Sequence, residues 1–107
     1  MTLESQTESR LQSLLDLYRK GYRSAVIDQA VSKLVALESE QNRAELKRLE
    51  VRLAQYELQF GMRSEDFYRR FRAGELGDEM DLVEWSVFWE MHLAGRQRLA
   101  RLLQNVP

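Results

Sequence analysis

The residues best placed for chemistry are the carboxylates Glu75, Asp78, Glu79, Asp81, Glu84 and Glu90, which follow one another with no basic residue between them. Converging oxygens of this kind hold Mg²⁺ or Ca²⁺. The spacing, however, lacks the Asp-x-Asp-x-Asp-Gly order of a calcium loop. Carboxylates at a helix start also stabilise its positive end, so capping and a solvated face account for the run without a metal. Arg63, Arg69, Arg70 and Arg72 form a basic group suited to a phosphate or an acidic partner. They are equally suited to pairing with Glu65, Asp66 and the acidic run. His92 is the only histidine, and neither Glu84 nor Glu90 stands at the helical spacing of a ligand pair with it. It reads as a partly buried side chain beside Trp89 and Leu93. Trp85 and Trp89, one turn apart, read as core, with Met80 and Met91 as packing around them.

No Ser-His-Asp set, phosphate-cradling glycine loop or zinc spacing occurs. Gly74-Glu-Leu-Gly77 has no strand before it and no Gly-Lys-Ser/Thr after it. No enzyme, cofactor or metal is therefore expected. With no cysteine, disulfides and thiolate chemistry are excluded, which suits the expected cytoplasmic location. No apolar run approaches the ~18 residues of a membrane span, and residues 1–12 lack the pattern of a secretory signal. Sixteen basic residues against seventeen acidic ones leave a net charge of −1, without the basic excess that phosphate binding draws on. Direct nucleic-acid binding and membrane association are not expected.

The elements that must position these residues are helices. The chain has no proline before position 107, and Leu, Glu, Arg, Ala and Gln dominate it. The spacing predicts helices over about 4–20, 24–60, 64–73 and 79–103. The fold class is all-α: a single helical domain with four helices around one long central helix, packed as a coiled coil or bundle. Leu11, Leu14, Leu15 and Tyr18 make one apolar face of the first helix, which Gly21 ends. Ser24 caps the second helix. That helix carries two stripes, Ile27-Ala30-Val31-Leu34-Leu37 and Leu46-Leu49-Leu53-Tyr56-Phe60. The polar residues 38–45 put the stripes out of phase, which rotates the packing face or marks a bend. Val51, Ala54 and Leu58 form a further apolar row well around the helix, open to a second layer or a second chain. Ser64 is expected to cap the third helix, and Asp78 with Asp81, or Asp81 with Glu84, to box the start of the fourth. The fourth helix is apolar nearly all round and should be the most buried.

One segment carries a resemblance. Phe60-Gly61-Met62, Ser64, Phe67, Phe71, Gly74-Glu-Leu-Gly-Asp78, Asp81 and Glu84-Trp85 resemble a motif of small, mostly uncharacterised prokaryotic helical proteins. Their members look like the antitoxin halves of toxin–antitoxin pairs. The resemblance covers about a quarter of the chain and brings no catalytic motif. It implies a module that binds and neutralises a cognate toxin encoded nearby, with the acidic run imitating nucleic acid if that toxin is an RNase. The turn itself has structural reasons: glycines for positive φ, Leu76 as a plug, and Asp78 as a cap.

The leading expectation is this antitoxin-like protein–protein interaction module, acting as a homodimer with a protein partner. Its candidate interface is Val51, Ala54, Leu58, Arg69, Arg70, Glu75, Asp78 and Asp81. The alternative is a structural or adaptor helical oligomer with no toxin partner. The third is a divalent-metal-dependent enzyme using the carboxylates from Glu75 to Glu84.

Overall fold

A computed structural model describes residues 2–104. Among these residues there are four helices, α1 (Leu3–Arg19), α2 (Ala25–Phe60), α3 (Ser64–Arg72) and α4 (Met80–Leu103), and no strand. The class is all-α, and the packing is bundle-like. The chain divides into two compact units, Met1–Leu34 and Val35–Pro107.

The N-terminal unit is a helical hairpin made of α1 and residues 25–34 of α2. Thr2 caps α1 by accepting the Ser5 N–H at 3.3 Å. Gly21, at φ 99°, turns the chain out of it, while the N–H groups of Gly21 and Tyr22 return to the carbonyls of Tyr18 and Leu17. Ser24 caps α2 as expected, accepting the Ile27 N–H at 3.3 Å. The Tyr18 hydroxyl fastens this corner. It accepts the Ser24 N–H, and its proton lies between Asp28 Oδ1 at 2.6 Å and the Ser24 carbonyl at 2.9 Å. The Asp28 carboxylate, more than burial, pushes the Tyr18 hydroxyl above the usual tyrosine range. No described residue of this unit is buried.

The C-terminal unit holds the core. Ser39, Asn42, Leu46, Leu49, Leu53 and Tyr56 are the buried residues of α2, alternating three and four apart. The polar segment 38–45 is therefore no break. α2 is helical throughout it, and Ser39 and Asn42 extend the Leu46–Tyr56 seam towards the N-terminus. α4 runs antiparallel to this seam. Tyr56 stacks on Trp85, Arg52 reaches Glu84 at 2.8 Å, and Asn42 Nδ2 donates to the Gly95 carbonyl at 2.8 Å. Gly95 sets how closely the two backbones approach, because a Cβ there would lie 2.8 Å from Leu46 Cδ2.

α3 closes the other end of the core. Phe67 lies flat on Trp85, with ring centroids 3.7 Å apart, and both are fully buried. Gly61 (φ 64°) and Gly74 (φ 77°) bound α3 in backbone conformations that a Cβ disfavours. Leu76 packs against the core, as the turn motif led one to expect.

Three sequence expectations change here. Ser64 does not cap α3. Arg63 holds the cap position without a side-chain bond, and the carboxylate of Glu57 takes the Ser64 N–H at 2.8 Å instead. Neither Asp78 nor Asp81 caps α4, whose cap position is Glu79, again without a side-chain bond. Nor is α4 buried all round. Leu82 and Trp85 are its buried apolar residues, whereas Met80, Val83, Val87 and Met91 stand exposed on its outer side.

Candidate interaction surface

Residues 51, 54 and 58 recur at helical spacing on the side of α2 opposite the Leu49-Leu53-Tyr56 seam. Because the seam is committed to α4 and α3, this row must point outward. Val51 is 62% exposed and Leu58 87% exposed, with Ala54 open between them. At its C-terminal end the row runs into an open depression of about 520 Å³ walled by Ala54, Glu57, Leu58, Gly61, Met62 and Arg63. The depression exists because Gly61 turns the chain sharply after Phe60, which lifts Met62 and Arg63 beside the last turn of α2. Glu57 is held on this wall by its bond to the Ser64 N–H.

The charged candidates do not gather into one site. Arg70 pairs with Glu75 at 3.4 Å across the Gly74 turn, a contact between the basic group and the acidic run that the sequence led one to expect. Arg69 pairs with Asp66 one turn back on its own helix, at 3.4 Å. Asp78 and Asp81 are exposed and make no ion pair among the described residues. Glu84 and Glu90 of the acidic run serve the fold. Glu84 accepts bonds from Arg52 and from the Tyr56 hydroxyl. Glu90 accepts from the Tyr68 hydroxyl at 2.7 Å. Among the described residues no three His, Asp or Glu side chains converge as a metal would require.

These pairings set the electrostatics. Burial, reinforced by the neighbouring Glu84 carboxylate, pushes the Tyr56 hydroxyl up to about 12. The Tyr56 hydrogen bond, followed by Arg52, holds the Glu84 carboxyl below its usual range. Tyr68 is pushed up chiefly by its bond to Glu90. His92 is buried against Trp89, ring centroids 5.5 Å apart, as its sequence neighbours suggested. Its Nε2 meets Glu50 Oε1 at 3.5 Å, a contact between α4 and α2 that no local spacing reveals.

Two further apolar faces were not assigned to a partner by sequence reasoning. One is the Met80-Val83-Val87-Met91 side of α4, masked in the sequence by the apolar residues that surround it. The other is the N-terminal hairpin, where Leu11, Leu14, Leu15, Tyr18, Ile27 and Val31 line an open groove of about 490 Å³. The sequence marks this face by its periodicity, which does not tell whether anything covers it. No helix among the described residues is long and apolar enough to cross a membrane. Comparison with protein-family models, with curated proteins and with solved structures finds no match to this chain.

Proposed function

We propose that the chain is an antitoxin-like protein–protein interaction module of the cytoplasm that binds a cognate protein toxin and masks its working surface. The observation that carries this reading is the outward row of α2. Val51, Ala54 and Leu58 present apolar side chains to water and lead directly into the depression at Gly61 and Met62. An exposed apolar strip rimmed by charge is the usual mark of a partner site. The depression also lies where the antitoxin-like motif begins. A partner side chain entering it would bury Leu58 and Met62, with Glu57 and Arg63 supplying charges at the rim. Exposed Asp78 and Asp81 would favour a basic toxin surface, as an RNA-binding one would be.

The test is co-expression with the product of the adjacent gene. The two proteins should co-purify, and the chain should relieve the growth arrest that the neighbour causes alone. Leu58→Glu should abolish both effects. It should leave the helical content unchanged and stability within about 0.5 kcal/mol, since so exposed a side chain contributes little to the core. Co-purification that survives Leu58→Glu, or an adjacent product that arrests nothing, would end this reading.

A further inference from the structure

We infer that the N-terminal hairpin is covered by the hairpin of a second copy of this chain, with the two α1 helices antiparallel across a two-fold axis. In proteins most of a helix's stability comes from burying an amphipathic face rather than from the helix itself. The hairpin has such a face, made by Leu11, Leu14, Leu15, Ile27, Val31 and Leu34, yet none of these residues is buried. Leu11 remains 56% exposed and Leu34 55%. A second identical hairpin would close the groove into a four-helix bundle, the arrangement in which such stripes are ordinarily buried.

Charge identifies the occupant. Glu4, Glu8, Leu11, Leu15 and Arg19 follow one another three to four residues apart, so they lie along one ridge of α1. The ridge is acidic at one end, apolar in the middle and basic at the other, at Arg19, with Lys20 next in the chain. It is complementary to itself only when reversed. An antiparallel copy sets Glu4 and Glu8 beside the partner's basic end while Leu11 of each copy meets Leu15 of the other. A parallel copy would set like charges together. This is the self-complementarity that a two-fold interface requires.

The area lies at the small end for a stable interface. A 17-residue α1 is about 26 Å long, and with residues 25–34 of α2 the hairpin offers on the order of 400 Å² in projection at ~10 Å per helix. The relief of the side chains raises the accessible area above that projection, towards the ~800 Å² per partner of a standard interface. The surface involved is separate from the α2 row assigned to the toxin, so the two readings can fail independently.

Sedimentation equilibrium of the full chain tests the proposal. The wild type should be a dimer at micromolar concentration. Leu15→Glu should weaken the dimer about a hundredfold by placing two carboxylates in the apolar middle. Because that variant can also loosen the hairpin, charge reversal at exposed positions gives the cleaner readout. Glu4→Arg/Glu8→Arg and Arg19→Glu/Lys20→Glu should each weaken self-association about tenfold. Mixed together, they should restore association, because every end of one then meets the opposite charge on the other. Leu58→Glu should leave the dimer intact. A wild type that stays monomeric at tens of micromolar, or a dimer indifferent to both charge variants and lost in Leu58→Glu, would overturn the assignment.

Discussion

The hydroxyl of Ser64 accepts the indole N–H of Trp85 at 2.9 Å, at a point where both side chains are closed off from water. In sequence, Ser64 followed by two acidic residues reads as a helix cap. Its true partner, 21 residues away, could not be seen from local spacing. The two roles predict opposite substitution series. Ser64→Ala should cost about 2 kcal/mol by leaving a buried N–H unpaired. Ser64→Asp should cost more, because it forces a carboxylate into the aromatic core. At a cap, Asp would be as good as Ser and better than Ala. Urea denaturation of the two variants gives the order, and an Asp variant more stable than the Ala variant would return Ser64 to the cap. Tyr56 makes a second residue-scale prediction, through pH. Its hydroxyl is pushed up to about 12, against about 10 for a free tyrosine. The folded chain thus keeps a proton that the unfolded chain releases. The resulting stability is complete below pH ~10 and is lost as pH rises through ~12. Glu84 has the reverse sign: its carboxyl is lowered, so its share is present above the ordinary carboxyl range and is lost as pH falls. Tyr56→Phe should therefore be destabilised by about 1.5 kcal/mol at pH 9. The gap to the wild type should narrow towards pH 12, and a gap constant with pH would contradict the linkage.

At the scale of elements, the four helices were legible because apolar periodicity, glycine stops and the absence of internal proline all agree. The observed α2, Ala25–Phe60, starts within a residue of the span its pattern predicts and ends with it. What was not legible was the meaning of residues 38–45. A polar stretch normally reads as solvent-facing, and here two of its members are buried. The reason lies in the other helix. The missing Cβ of Gly95 makes room for Leu46, and the Gly95 carbonyl offers an acceptor that Asn42 can reach. Asn42 uses both ends of its amide there, donating to the Gly95 carbonyl and accepting from Arg98 Nη1 at 3.1 Å. A polar residue at one seam position fixes register at some cost in stability. A double-mutant cycle should report the coupling. Asn42→Ala should cost about 1–2 kcal/mol and Arg98→Ala less, and the double variant about as much as Asn42→Ala alone. Strict additivity would mean that the Arg98 contact contributes nothing.

For the molecule as a whole, the contrast between its two units governs what to expect of its dynamics. The candidate site was legible as far as the Val51-Ala54-Leu58 row, whose outward position follows once the opposite seam is known to be occupied. The open hairpin was not, because periodicity tells which residues share a face and not whether anything covers it. The C-terminal unit encloses Phe67 and Trp85 completely, while no described residue of the N-terminal unit is buried. Local opening free energy tracks buried apolar contact, so amide exchange should divide along the same line. Amides at the seam, from Leu46 to Tyr56, should exchange only through opening of the unit that contains them. Amides of α1, whose order depends on a cover supplied by another chain, should exchange much faster in dilute solution. By mass action their protection should rise with protein concentration until the dimer is saturated, while the seam amides stay nearly constant. Hydrogen–deuterium exchange of the wild type over about a hundredfold range of concentration around the dimer midpoint measures both. In the Glu4→Arg/Glu8→Arg variant the rise should move to higher concentration by the same factor as its dissociation constant. Protection of α1 that is already high and independent of concentration would show that the hairpin is stable uncovered, and the energetic case for a second copy would fall with it.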